Sequence, residues 1–402
     1  MKGRNSMMQY YKRRIFNELN QQLSYKEIIV LTGMRRTGKT TLLKMLFEEV
    51  DSENKLMLDM ENLINQKVFG EIDFNNVWNG LKEMGLSPDK KAWLFLDEIQ
   101  AMPEIVNVIK FLYDHYDVKF ILTGSSSFYL KNLFPESLSG RKIMYELFPL
   151  DFEEFLIFKG KEREFSEDFQ IKNTSKSEVR YEKTKNYFEE FLHFGGFPGI
   201  VLTEDETRKK ALLSDIFTSY FEKDIRQMAD FKNMAAFRNL MMLLMQRVGS
   251  LLDITKLASE AGISRDSVYT YLSFLEGTYF ISLVRPYSKN VNREVSGRRK
   301  VFLCDNGFLN LFSKVSQGSL LENAMFNNLR KYGDIRYYQR HSGVEIDFIL
   351  PEKSLALEVK NTGTSHDLRK LEKLSADIGM NNHFLITYNY ANLDGAIPAS
   401  MI

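Results

Sequence analysis

Three observations about order along this 402-residue chain predict an α/β class for its first third. A short apolar run, Ile28 to Leu31, leads into the loop Gly33, Met34, Arg35, Arg36, Thr37, Gly38, Lys39, Thr40, Thr41. Leu42, Leu43, Met45, Leu46 and Phe47 then follow at the spacing of a buried helix face. A second apolar run, Ala92 to Leu96, ends in Asp97 and Glu98, and a third strand, Lys119 to Leu122, ends in Thr123, Gly124 and Ser125. Continuously apolar strands suit a parallel sheet covered on both faces.

In chain order, Tyr10 to Leu23 reads as a basic amphipathic helix with Tyr11, Ile15, Leu19 and Leu23 on one face. Arg13 and Arg14 either approach a phosphate or are solvated helix charges. The loop matches G-x-x-x-x-G-K-[ST], in which backbone N–H groups and a helix N-terminus surround phosphates, Lys39 reaches their outer oxygens and Thr40 ligates magnesium. Glycine is needed where a Cβ would obstruct the wrapped backbone. ATP and Mg2+ are thus the expected cofactors, with Gly33, Arg35, Arg36, Thr37, Gly38, Lys39, Thr40 and Thr41 as nucleotide-binding candidates. Leu56 to Asp59 reads as a second strand, followed by polar helix to about residue 90.

The strand ending in Asp97 and Glu98 has the form of a Walker B segment: Asp97 would hold the magnesium shell and Glu98 would polarise the attacking water. Ser125 and Thr123 both qualify as the polar residue that senses the γ-phosphate, and a Ser-rich turn capping a helix near Phe128 is compatible with either. Arg141, after Leu138, Ser139 and Gly140, precedes a strand at Ile143 to Leu147. In a ring it would supply an arginine finger to a neighbour; as a surface arginine it would do nothing of the kind.

Loop, Walker B, sensor strand and later Gly-Arg together resemble an AAA+ ATPase core. The Arg35-Arg36 pair and Leu122 to Ser126 resemble one prokaryotic AAA+ family, in which the ATPase is fused to a winged helix and a PD-(D/E)XK nuclease-like domain. Phe148, Pro149 and Leu150, Gly195 to Pro198, and Tyr220 to Ile225 with Asp224 also resemble that family's pattern. The resemblance implies a parallel-sheet AAA+ core with a helical lid, then a winged helix, then a small α/β nuclease-like domain. Its weak stretch is Lys159 to Asn186, which reads as a loop or variable helical insertion.

Beyond Gly199, Thr207 to Met228 and Ala235 to Val248 carry apolar residues at helical spacing. Asp253 and Ser264 cap two predicted helices joined at Gly262, with Leu257 and Ala258 inward in the first and Val268, Leu272 and Leu275 in the second. This is a helix-turn-helix, whose second helix would face a major groove. Strands at Tyr279 to Val284 and Lys300 to Leu303 would form the wing, and Arg285, Lys289, Arg293, Arg298, Arg299 and Lys300 outweigh the single acid Glu294 around it. Such a hairpin suits phosphate contacts to DNA, or is a solvated face of a protein-interaction module.

Near the C-terminus, Glu345 and Asp347 share one strand face, as do Glu358 and Lys360 on the next. Paired strands would bring Asp347, Glu358 and Lys360 together, and Glu322 on the preceding helix could join them. Two carboxylates on magnesium and a lysine orienting water are what a phosphodiesterase needs, although acidic residues alternating on a half-exposed strand read the same way. The resemblance assigns Glu322, Asp347 and Glu358 to metal and Lys360 to the nuclease lysine.

A net charge of +1 excludes a uniformly basic nucleic-acid sleeve. One cysteine, Cys304, forms no intrachain disulfide, which fits a reducing cytoplasm, and no apolar stretch is long enough to span a bilayer. The expected segments are an N-terminal helix to 26, the ATPase core over 27–150, lid and connecting helices over 151–235, winged helix over 236–304 and nuclease-like domain over 305–402. The expected function is ATP hydrolysis acting on the C-terminal module, on DNA, with homo-oligomerisation possible through Arg141. The alternative is a nucleotide-dependent switch or protein-interaction regulator with an inactive nuclease-like domain; an ATP-gated nuclease is a third reading.

Overall fold

The computed structural model of the protein describes residues 10–125, 140–161, 166–225, 233–288, 294, 297–340 and 342–402. The expected helix near Phe128 and the basic residues Lys289 and Arg293 lie outside them. The chain divides into two compact units, Met1–Phe148 with Gly277–Tyr279, and Pro149–Glu276 with Phe280–Ile402. The N-terminal helix thus belongs to the unit of the sheet, and the segments read as lid, helix-turn-helix and C-terminal domain fall in the other.

The first unit is built on β1 (Ile28–Thr32), β2 (Lys55–Asp59), β3 (Ala92–Asp97), β4 (Val118–Gly124) and β5 (Lys142–Glu146), in the order β2-β3-β4-β1-β5. All four pairings are parallel. Alternation along the strands divides the core. Ile29, Leu31, Phe95 and Ile121 meet Leu42, Leu43 and Leu46 of helix Lys39–Glu49 on one face, and Val30, Leu94, Leu96 and Phe120 meet helices Phe74–Glu83 and Ile105–His115 on the other. Burial on both faces is why these strands read as unbroken apolar runs.

The N-terminal helix is shorter than the periodicity suggests. It spans Phe16–Gln22 and buries Phe16 and Leu19, so Phe16 takes the core position expected of Tyr11. Its C-terminal end and the following turn are held by Lys119 of β4, whose ammonium donates to Gln22 O at 3.0 Å, Tyr25 O at 2.7 Å and the Glu27 carbonyl.

The second unit begins with helices Phe152–Phe158, Phe169–Ser175, Glu178–Phe194, Pro198–Val201 and Glu206–Ser219, the last passing into a π-helical turn at Tyr220–Ile225. Of the two readings of Lys159 to Asn186, the helical insertion is the one its described residues take, in Phe169–Ser175 and the first turns of Glu178–Phe194. Asp168 and Ser177 cap its two helices, Lys172 donates to Met401 O at 2.7 Å, and Thr184 donates to Ser400 Oγ at 3.1 Å. Its polar side chains are spent on C-terminal carbonyls and hydroxyls, which is why hydrophobicity alone left loop and helix both open.

Helix Met234–Gln246 follows, then Ile254–Ala261 and Arg265–Gly277, capped by Asp253 and Ser264 as expected and joined through Gly262 at φ +67°. The antiparallel hairpin β6 (Ile281–Val284) and β7 (Lys300–Leu303) comes next, then helices Asn306–Phe312 and Gln317–Leu329. The last sheet contains β8 (Arg336–Gln339), β9 (Glu345–Leu350), β10 (Leu355–Lys360), β11 (Asn382–Thr387) and β12 (Ala396–Pro398), in the order β12-β11-β10-β9-β8. It is mixed: β8, β9 and β10 run antiparallel, while β10, β11 and β12 run parallel across helix Ser365–Ile378. Among the described residues no helix is long and apolar enough to cross a membrane.

Candidate functional site

The glycine loop joins the C-terminal end of β1 to helix Lys39–Glu49, as the sequence requires. Gly33, at φ +149°, lies so close to the end of β5 that a Cβ would sit 2.1 Å from Leu147 O. Arg36 and Gly38 also have positive φ, 66° and 100°, and these turns curl the backbone back on itself. Lys39 is buried, and its ammonium donates to Gly33 O at 2.8 Å and Met34 O at 3.0 Å. Its charge is thereby held at the mouth of the loop. Thr37 Oγ1 donates to Met34 O at 2.9 Å. Arg35 lies 3.6 Å from Glu61, and Thr41 is exposed on the first helical turn.

Two side chains converge on the carboxylate at the end of β3. Thr40 Oγ1 donates to Asp97 Oδ2 at 2.7 Å, and the Thr123 hydroxyl donates to the other oxygen, Oδ1. Parallel register makes this possible, because β3 lies between β2 and β4 with Leu96 opposite Leu122. Burial pushes the Asp97 carboxyl up from its ordinary value, while the Thr123 and Thr40 hydroxyls pull it back. A hydroxyl beside a carboxylate, next to a lysine and a loop of N–H groups, is a hard-oxygen set of the kind magnesium accepts with a nucleotide phosphate.

Glu98 turns out of β3 at φ 53°, its N–H donating to Thr123 Oγ1 at 3.0 Å. Its carboxylate accepts from the Gln100 amide, which also donates to Ser125 Oγ at 3.0 Å, while Ser125 N donates to Gln100 Oε1 at 3.3 Å. The two candidate sensors are thus distinguished by what they touch: Thr123 bonds Asp97, and Ser125 bonds Gln100, whose amide also donates to Glu98.

Arg13 also belongs to the loop. It is buried, donating from Nη1 to Thr37 O and from Nη2 to Phe148 O, both at 2.9 Å. Arg141, by contrast, is not brought to the cluster. It precedes Lys142, which pairs with Ile28 at the far end of β1, about 16 Å from the loop at ordinary strand rise. It pairs instead with Asp114 at 3.0 Å.

In the second unit β9 and β10 pair as expected and bring Asp347, Glu358 and Lys360 together. Lys360 Nζ donates to Glu358 Oε1 at 2.7 Å, and Val359 N donates to Asp347 Oδ2 at 2.8 Å. Glu322 joins them, and so do two residues not assigned to this centre from the sequence. Lys300, expected at an exposed phosphate contact, is only 2% exposed, with Nζ 3.4 Å from Glu322, 3.5 Å from Glu345 and 3.8 Å from Asp347. Burial would lower the Lys300 ammonium, but Glu322, Asp347 and Glu345 outweigh it and hold the group above its ordinary value. Burial, with Asp347 nearby, pushes Glu322 up to about 8 and Glu358 up to about 7. The residues do not fit a divalent cation: both Asp347 oxygens and Glu358 Oε1 are engaged, and Glu358 Oε2 alone of these is buried without a partner. Among the described residues no group of three or more Asp, Glu, His or Cys is placed to hold a metal.

The helix Arg265–Gly277 exposes Arg265, Asp266, Tyr269, Thr270 and Glu276 opposite its buried face, so it is polar without being basic. Arg298 lies 3.7 Å from Asp253.

The sequence profile of the family described as an AAA domain matches residues 25–156, and two domains of unknown function match residues 185–319 and 317–399. An uncharacterized protein of Methanocaldococcus jannaschii, MJ1544, is 29% identical over 94% of this chain and 86% of its own length. An uncharacterized protein of Haemophilus influenzae is 28% identical over 83% of this chain and 82% of its own. Among solved structures, the Walker-type ATPase PABY2304 of Pyrococcus abyssi superposes with a TM-score of 0.51 at 15% identity, over 75% of this chain and 96% of that one. The first unit therefore has the fold of an AAA-type P-loop ATPase, and nucleotide binding goes with that fold.

Proposed function

We propose that the chain, as an AAA-type P-loop protein, hydrolyses ATP and that the cycle acts on its second unit while that unit contacts DNA. The observation that carries the reading is the bonded set Thr40, Asp97 and Thr123 beside the loop whose carbonyls hold the Lys39 ammonium. In this reading the loop N–H groups and Lys39 bind the phosphates, and Thr40 and Asp97 hold magnesium, which neutralises charge on the phosphate oxygens. Thr123 positions Asp97 and the Glu98 backbone. Glu98 takes the attacking water once its carboxylate exchanges the Gln100 amide for that water. Arg141 takes no part in this chain's own site, and its reading as a finger supplied to a neighbouring copy is a separate proposal.

DNA contact rests on the helix-turn-helix order of Ile254–Ala261 and Arg265–Gly277 and the exposed polar face of the second helix, with the flanking Arg285 and Arg299. Steady-state ATP hydrolysis by wild type and Lys39→Ala, with and without single- and double-stranded DNA, tests both parts. Turnover that DNA stimulates and Lys39→Ala abolishes is expected. Turnover indifferent to DNA would remove the DNA part, and no turnover in wild type would remove the hydrolytic part.

A further inference from the structure

The acidic centre of the second unit has a cation of its own. Lys300 enters from β7, and its ammonium meets carboxylates from helix Gln317–Leu329 (Glu322) and from β9 (Glu345 and Asp347). The ammonium lies over the ring of Tyr337 of β8, whose centre is 5.6 Å from Nζ. Glu322 Oε2 lies beside the turn at Gly249, where an added Cβ would stand 2.6 Å from it. Three carboxylates stand within 3.8 Å of one buried ammonium, so the charge of the ammonium is paired inside the group.

We propose that Lys300 is the resident counter-ion of this centre, its ammonium standing among the carboxylates where a divalent cation would otherwise stand. The second unit is then metal-independent: it lacks magnesium-dependent phosphodiester cleavage, and the same lysine fastens the β6–β7 hairpin to β9 and to helix Gln317–Leu329. The inference is independent of whether the first unit hydrolyses ATP, because it concerns a different set of residues and is tested without nucleotide.

The test uses the full chain, nucleotide-free, with Mn2+ as the probe. Manganese EPR titration of wild type and Asp347→Asn reads whether a Mn2+ site depends on the centre. Melting of wild type and Lys300→Ala, in EDTA and then in Mn2+, reads what replaces the ammonium. Expected are no Mn2+ site that Asp347→Asn removes, and a wild-type melting temperature indifferent to the ion. Lys300→Ala is expected to melt lower in EDTA, on the order of 10 °C, and to recover part of the loss in Mn2+. A wild-type Mn2+ site lost in Asp347→Asn would overturn the proposal, as would a Lys300→Ala variant that melts like wild type in EDTA. Should Lys300→Ala fail to fold, the EPR comparison between wild type and Asp347→Asn decides the matter alone.

Discussion

Arg13 shows how a residue outside a motif can complete it. Its guanidinium bonds the carbonyls of Thr37 and Phe148, so the glycine loop is braced from outside as well as from within. Each such charged bond is worth about 1.5–3 kcal/mol, and Arg13→Met is expected to weaken ATP binding by at least about tenfold, read by calorimetry. Thr123→Val is expected to reduce turnover far more than Ser125→Ala, because Thr123 bonds Asp97 directly and Ser125 reaches Glu98 through Gln100. Equal effects in the two steady-state assays would contradict that ordering.

Asp305 is a buried carboxyl whose value burial pushes up to about 7, against the pull of amide donors at Gly196 and Gly307. Its folded value then lies above its unfolded one, so over roughly pH 4–7 the folded protein holds a proton that the unfolded chain has lost. Stability from this group is complete below that window and declines as pH rises through it. Asp305→Asn, neutral throughout, is expected to flatten the fall in urea midpoint between about pH 5 and about pH 7.5. Lys39, Thr40 and Asp97 were legible in the sequence because their chemistry is local or fixed by one strand end. Arg13, Gln100 and Lys300 were not, because nothing near them in the chain announces their partners.

At the scale of elements, strands β1 to β5 were legible because burial on both faces leaves an apolar run. Helices of the second unit were read where apolar residues recur and left open between loop and helix where polar ones do the packing. Phe169–Ser175 is the example: Lys172 and Asn173 are buried, and Lys172 ties the helix to the Met401 carbonyl. Lys172→Met leaves that carbonyl without its ammonium donor and is expected to lower unfolding free energy by about 1–3 kcal/mol in urea titration, with no effect on nucleotide affinity. The N-terminal helix was over-read for a related reason. Basic residues before Phe16 look like a solvated helical face, yet Arg13 leaves that path to reach Thr37 and Phe148.

At the scale of the molecule, the parallel order β2-β3-β4-β1-β5 and a family profile over residues 25–156 give the first unit its class. The return of Gly277–Tyr279 to the first unit was not legible, because it follows contacts rather than sequence signals. Nucleotide is expected to raise the stability of the first unit by about 2.7 kcal/mol at a hundredfold excess over Kd, seen as slowed amide exchange in β1, β3 and β4 and absent in Lys39→Ala. The chain passes from the first unit at Phe148, returns for Gly277–Tyr279 and leaves again. Tyr279 is seated there, its hydroxyl donating to Glu146 at 3.1 Å and its ring against Phe148. One scission at the Phe148–Pro149 bond would therefore leave three residues of the first unit, Gly277–Tyr279, on the downstream fragment. The ATPase unit is a discontinuous domain, and a gene truncated at its apparent end would encode it incomplete.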